Sequence, residues 1–254
     1  MHAQPSDSHR SSLNRRERIE VTSYKSNPSE PIREMYDQRN AVKSIDDLLA
    51  RTSNPRHVAI LRNFRRHALF ELSGNWPWIL SPELTVEHPH YRFNIAPETQ
   101  VFDGLEEVAK FYHALTSGGL DPLVGPITQR LMVDDWGWSG HGVWGQQLPA
   151  AAADAEGIPV DDADDHYYLV AAIVQIWFYS DEGKLIGEHV FADRGSRLWW
   201  KMDPADVLSL DEAHARIQPL LDEEIARYGA PAEPYPSVVA FTESLRASSG
   251  AYGA

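Results

Sequence analysis

The sequence predicts an α+β fold: a cone-shaped, curved antiparallel sheet packed on N-terminal helices, with extended N- and C-terminal arms. Three observations predict it. Two amphipathic helical segments, near residues 54–73 and 104–117, lie in the first half of the chain. Long β-rich runs follow, "PITQRLMVDDWGWSGHGVWGQQ" and "HYYLVAAIVQIWFYSDEGKLIGEHVFADRG". Within the second, the turn "SDEGK" separates two apolar runs, which is a hairpin signal. Helices segregated from an antiparallel sheet pack on one of its faces. Once curled, such a sheet makes a cone whose mouth can hold a small apolar ligand.

The elements follow in order. Residues 1–42 are polar, with scattered Pro and Ser, and read as an arm. "SIDDLLARTSNP" is a short helix capped by Ser44, with Asp46 in its first turn. In "NPRHVAILRNFRRHALFELSGN", Asn54 caps, Pro55 suits the first helical position and Gly74 stops. Val58, Leu61, Phe64, Ala68, Phe70 and Leu72 keep helical spacing. "PELTVEHPHYRF" is extended. "GLEEVAKFYHALTSGG" is a second amphipathic helix. The acidic, alanine-rich stretch at about 148–165 interrupts the β-rich half as a long hairpin loop or lid. Residues 43–204 make up the domain around it. In 205–254, "SLDEAHARIQPLLDEEIARYG" is a helix with a Ser209–Glu212 capping box, a Gly229 stop and a kink at Pro219; a tail follows.

Composition narrows the function. The chain has 254 residues, 43% hydrophobic, enough for one sizeable core. It has no cysteine, so no disulfide framework or thiolate site. A net charge of -14 argues against nucleic-acid and anionic-membrane surfaces. No apolar run reaches the roughly 18 residues of a spanning helix. The N-terminus has no apolar signal region, and no apolar stretch follows Arg15-Arg16, so a cytoplasmic protein is expected. No Ser-His-Asp set, phosphate loop or dinucleotide fingerprint is readable.

Histidines and tryptophans hold the chemistry. His88 and His90 are two apart on an extended segment and share a face. A metal would need a third ligand, from Glu98 or His141, and the spacing does not favour one, so no metal is expected. Acid/base work or substrate hydrogen bonding is the sharper reading, and a solvated histidine pair the plainer one. Glu188 and His189 alternate on the last strand, so one faces in. Trp136 and Trp138 share a strand face and His141 takes the other. Trp138 reads as core or as the wall of an aromatic pocket. Tyr112 reads first as core and second as a substrate contact. Arg92 suits a ligand carboxylate or phenolate, although surface pairing is the commoner fate of an arginine.

The stretch "ELSGNWPWILSPELTVEHPHYRF", followed by "VFDGLEEVAKFYHAL", resembles the nuclear-transport-factor-2-like superfamily, within it the SnoaL-like polyketide cyclases and ketosteroid isomerase. The matching features are Ser73-Gly74-Asn75, Thr85-Val86-Glu87-His88-Pro89, Gly104, Phe111-Tyr112 and the later "DEGKLIGEHVFAD". Together they span about residues 54–202. The resemblance implies the cystatin-like α+β barrel. It puts His88 where such enzymes have a general-base Asp, His67 near their oxyanion tyrosine, and Gln175 near their second oxyanion donor. Asp193 falls where SnoaL-like members have a catalytic carboxylate.

The expected function is therefore a cofactor-independent lyase acting by acid/base catalysis on a hydrophobic, hydroxylated aromatic molecule. The reaction is dehydration or retro-aldol loss of formaldehyde, as in enzymes of lignin-derived diarylpropanes. His88, Asp193 and His67 are the expected catalytic residues. His90, Arg92, Tyr112, Trp138, His141, Gln175 and Glu188 are the expected substrate contacts. An isomerase or cyclase is the alternative, and a non-catalytic ligand-binding or oligomerising module the other. The terminal segments outside the resemblance suggest subunit wrapping, hence a homodimer or homotrimer.

Overall fold

The computed structural model describes residues 37–95, 98–117 and 123–250. The expected N-terminal arm lies outside them up to residue 36. Helix α1, Asn40–Leu49, starts within the stretch expected as arm, and its Ala41, Val42, Ile45 and Leu48 are buried. Ser44 lies inside this helix, and its hydroxyl donates to Gln129 Oε1 at 2.8 Å, so it tethers rather than caps. Helix α2, Pro55–Leu72, begins as expected: the Asn54 side chain accepts from the Arg56 N–H, and proline sits at the first position.

After a 3-10 turn at Trp76–Ile79, the "LTVE" run does not form a strand. It makes one isolated bridge, Thr85 to Leu185. Strands β1, His90–Asn94, and β2, Gln100–Asp103, come next, then helix α3, Leu105–Ser117. The long strands are β3, Val124–Asp134; β4, Gly137–Pro149; β5, His166–Tyr179; and β6, Leu185–Lys201. Between β4 and β5 the acidic stretch folds into a short helix, α4, Ala150–Ala155. Its Ala153 joins Ile158, Leu148, Tyr167 and Leu169 in a small core of its own, so the stretch is anchored at its base.

The six strands form one open, curved sheet in the order β2-β1-β6-β5-β4-β3. The pairings are antiparallel with one exception: β1 runs parallel to β6, Arg92 opposite His189. Gly187 permits that junction. A Cβ there would stand 1.8 Å from the His90 carbonyl oxygen, inside its van der Waals shell.

Alternation sorts the sheet faces. Tyr91, Phe93, Trp138, Trp177 and Val190 face the helices and are buried. Arg92, His141, Val174 and Phe191 face the other way and are exposed. Phe64 of α2 stacks on Trp138 with ring centroids 4.0 Å apart, a pairing worth about 0.5–1.5 kcal/mol beyond area burial.

Two helices close the chain. Helix α5, Leu210–Tyr228, has the expected Ser209–Glu212 capping box, and Gly229 takes φ 80 beyond its end. It docks on α2 through buried Glu224, which pairs with Arg65. The stretch expected as a tail contains a further helix, α6, Pro236–Gly250, with Val238 buried and the Tyr235 hydroxyl donating to the Thr85 carbonyl at 3.1 Å. Among the described residues, no helix is long and apolar enough to cross a membrane.

Candidate active site

A cavity of about 230 Å3 lies between helices α2 and α3 and the helix-facing side of the sheet. Its walls are mostly apolar: Phe64, Leu72, Phe93, Phe111, Leu115, Ile173, Trp177 and Val190 among them. Polar side chains are few. Glu71, Glu188 and Gln175 stand at one end, Gln129, Gln146, Glu156 and Arg197 elsewhere along the lining.

The Glu188 end is a connected network. Helix α2 supplies His67 and, one turn on, Glu71; α3 supplies Tyr112; β1 supplies Tyr91; and β6 supplies Glu188. The Tyr112 hydroxyl donates to Glu188 Oε1 at 3.2 Å. It also lies 2.9 Å from His67 Nε2 and 3.1 Å from the Tyr91 hydroxyl. His67 Nε2 is 3.3 Å from Glu71 Oε2 and 3.6 Å from Glu188 Oε1. One imidazole nitrogen therefore faces two carboxyl groups and a phenol. His67 Nδ1 is buried with no hydrogen-bond partner among the described residues, and so are Gln175 Oε1 and Trp177 Nε1. Unsatisfied buried polar atoms lining or backing a cavity are what a ligand or ordered water would occupy.

Burial sets the proton affinities. Glu188 is 5% exposed. Desolvation first, and the nearby Glu71 carboxylate second, push its pKa well above the usual range; hydrogen bonds from Tyr112 and Tyr91 oppose them. Glu188 thus keeps its proton above the pH at which an ordinary glutamic acid ionises. Tyr112 and Tyr91 are raised too, chiefly by burial, and remain phenols.

Of the residues expected from sequence, His67, Tyr112 and Glu188 meet in this network. Gln175 joins them on the cavity wall. Trp138 lies beneath, fully buried against Phe64 and Trp177, and the cavity wall is formed instead by Trp177 and Trp144.

Five expected residues lie elsewhere. The His88 side chain is 73% exposed on the outside of the molecule, with Nε2 3.3 Å from Asp103 Oδ1. The same oxygen is 3.1 Å from His90 Nδ1, and His90 is 46% exposed. The reason is the bridge at Thr85: the chain leaves the Leu185 end of β6 before the two histidines, and Pro89 with Gly104 turns them to solvent. The Pro89 carbonyl accepts from the Gly104 N–H at 2.8 Å.

Arg92 and His141 sit on the outer sheet face by alternation. His141 cannot complete a metal set with His88 and His90, because β6 and β5 separate β4 from β1. Asp193 is exposed, and its Oδ1 accepts from the Gly195 N–H at 2.9 Å. It shapes a bulge in which residues 194–197 stand out between the pairs Ala172–Asp193 and Val170–Leu198.

Glu71, Tyr91, Trp144 and Arg197 were not singled out in the sequence. Glu71 had a signal, because it lies four residues after His67 on one helix face. Tyr91 and Trp144 had only strand alternation, and Arg197 depends on the bulge.

No protein-family model matches the chain, and no curated protein matches it. Among solved structures it is similar to the epoxide hydrolase/cyclase-like enzyme SalBIII of salinomycin pyran ring formation, at 14% identity over 57% of this chain and 95% of that one, with a TM-score of 0.36. It is similar to a phenazine biosynthesis-related protein, phzb2, from Pseudomonas aeruginosa, at 12% identity over 65% and 87%, TM-score 0.35. A steroid delta-isomerase from Pseudomonas aeruginosa gives 13% identity over 68% and 96%, TM-score 0.30. Likeness this weak transfers no chemistry. Helices on one face of an open, curved sheet are the α+β architecture expected from the sequence.

Proposed function

We propose that the chain is a cofactor-independent acid–base enzyme that moves protons on a small, largely apolar, oxygen-bearing substrate. One observation carries this reading: Glu188, buried on the wall of an apolar cavity where desolvation raises its pKa, stands beside a second carboxyl, a histidine and a phenol. A carboxyl whose proton affinity is raised by burial, set beside a second carboxyl in one cleft, is suited to acid work.

In this reading Glu188 is the general acid and Glu71 the base. Tyr112 donates to Glu188 Oε1, and His67 Nε2 lies 3.6 Å from the same oxygen. Dehydration would proceed as follows. The Glu71 carboxylate removes a proton from carbon. Glu188 gives its proton to the departing hydroxyl, and water leaves as the carbon–carbon double bond forms. His67 Nε2, within reach of both carboxyl groups, returns the proton from Glu71 to Glu188. Gln175 and Trp177 hold the substrate oxygen. An acid-form carboxyl supplies the proton that a leaving hydroxide needs, and it equally donates to a developing enolate oxygen. Isomerisation through the same groups is the second outcome.

The cavity bounds the substrate. A dry cavity of ~150 Å3 takes benzene; about 230 Å3 takes a narrow molecule of one ring with an extended chain. A diarylpropane fits only with its second ring at the mouth.

The test is a panel of aryl-propanoid, steroid and polyketide compounds incubated with the protein and a chelator, with products followed by mass spectrometry. Loss of water supports elimination, and an unchanged mass with altered absorbance supports isomerisation. Glu188→Gln should slow the reaction by about 10²–10⁴-fold. Undiminished turnover in Glu188→Gln removes the proposal, and undiminished turnover in Glu71→Gln removes Glu71 as its base.

A further inference from the structure

Arg197 is the only cationic side chain among the described residues that line the cavity. It stands far from Glu188. Glu188 pairs across the sheet with Trp177, whereas Arg197 borders the Val170–Leu198 pair next to Ala171. From Trp177 to Ala171 is about 20 Å of strand at ~3.3 Å per residue. The bulge at 194–197 breaks the alternation of β6, and that break brings the Arg197 side chain to the cavity. The cavity therefore has an acid at one end and a guanidinium at the other, with apolar wall between.

The guanidinium is held by one residue. Arg197 Nη2 pairs with the Glu156 carboxylate, and Nη1 reaches the Glu156 backbone carbonyl at a long 3.5 Å. An arginine presents five N–H donors in a plane. Those two contacts leave donors without a partner among the described residues. Glu156 follows directly on α4 in the acidic stretch and lines the cavity itself. Gln146, on the same wall, adds an amide.

A guanidinium matches a carboxylate in shape and charge and binds it through paired hydrogen bonds. We propose that the substrate carries a carboxylate at the end remote from its reacting oxygen. Arg197 reads that carboxylate, and Glu156 holds the guanidinium in position until the substrate's carboxylate displaces it. This rests on the reading that the Glu188 end is the reacting end, and it narrows the substrate class to apolar hydroxy acids. Arg197 is the specificity-determining residue.

The test is binding, separate from turnover. Three probes share one ring: 3-phenylpropanoate, its neutral amide, and the corresponding primary amine. Trp144 and Trp177 line the cavity, so intrinsic fluorescence follows occupancy on the full chain. The propanoate should bind at least about tenfold tighter than the amide. Arg197→Gln should erase that difference by weakening the propanoate most. Glu156→Gln, which removes the competitor, should tighten propanoate binding. Equal binding of acid and amide, tighter binding of the amine, or an acid preference surviving in Arg197→Gln overturns the proposal. A merely structural latch predicts that Arg197→Gln and Glu156→Gln lower Tm together and weaken all three probes alike. Should Arg197→Gln fail to fold, Arg197→Lys keeps the charge but not the fork, and it should retain only part of the acid preference; full retention counts against the paired contact.

The two readings fail separately. An acid preference that holds while Glu188→Gln turns over normally defeats the catalytic assignment alone. Turnover that needs Glu188 but treats neutral alcohols and hydroxy acids alike defeats the carboxylate assignment alone.

Discussion

Tyr112 and Glu188 meet at 3.2 Å, the phenol of helix α3 donating to a carboxyl buried on strand β6. The contact joins the helical layer to the sheet at the cavity wall. It also opposes the burial that raises Glu188, because a donated hydrogen bond favours the ionised form.

Removing the phenol should therefore act in two ways. Tyr112→Phe strips a buried hydroxyl from His67 and Glu188, at a cost of about 1–3 kcal/mol. It also lets the Glu188 pKa rise further. Thermal unfolding should show the loss, and the alkaline limb of the pH–rate profile should move to higher pH. A limb that moves down contradicts the hydrogen-bond direction.

Glu188 has a raised folded-state pKa, so the sign of its stability contribution is fixed. Above the ordinary value of 4.5 the unfolded chain releases this proton while the folded chain keeps it. The contribution is complete below that value and is lost as pH rises through the folded pKa. Glu188→Gln should flatten the fall in stability with rising pH, measured by denaturant midpoints across that window. A variant with the wild-type slope would show that Glu188 ionises normally.

Catalysis should follow the same titration. With Glu188 as general acid, kcat falls as pH rises through its folded pKa. Glu188→Gln loses about 10²–10⁴-fold at neutral pH and with it the alkaline limb. Persistence of that limb in the variant assigns it to another group.

His88→Ala and His90→Ala should leave turnover within about threefold of wild type. Both rings are solvent-exposed and share Asp103 on the outer surface, where water screens the contact. A hundredfold loss in either variant would return chemistry to that surface.

Gly187→Ala should damage the fold rather than the site. The added methyl meets the His90 carbonyl at 1.8 Å, so β1 must leave β6 or the sheet must shift. A loss of about 3 kcal/mol is expected, the upper part of the range for overpacking. Protease susceptibility between β1 and β2 should rise with it.

The sequence by itself determined the layers. Local signals set them: Asn54 and Pro55 starting one helix, Ser209 and Glu212 starting another, and the "SDEGK" turn separating two strands. Strand alternation left one of Glu188 and His189 facing in, and His67 and Glu188 were both named. Which face of β6 is buried, and which histidines reach the cavity, depended on pairing across the sheet. His88 looked catalytic because it precedes a proline in an extended run, yet the single bridge at Thr85 and the parallel docking of β1 carry it outside. Asp193 looked like a site carboxylate, but a bulge of β6 uses it to bind Gly195 and aims Arg197 inward instead. Glu71, Tyr91 and Arg197 joined the site only in three dimensions. Periodicity tells a residue's face within its own element; register, bulges and the approach of a second layer decide what that face meets.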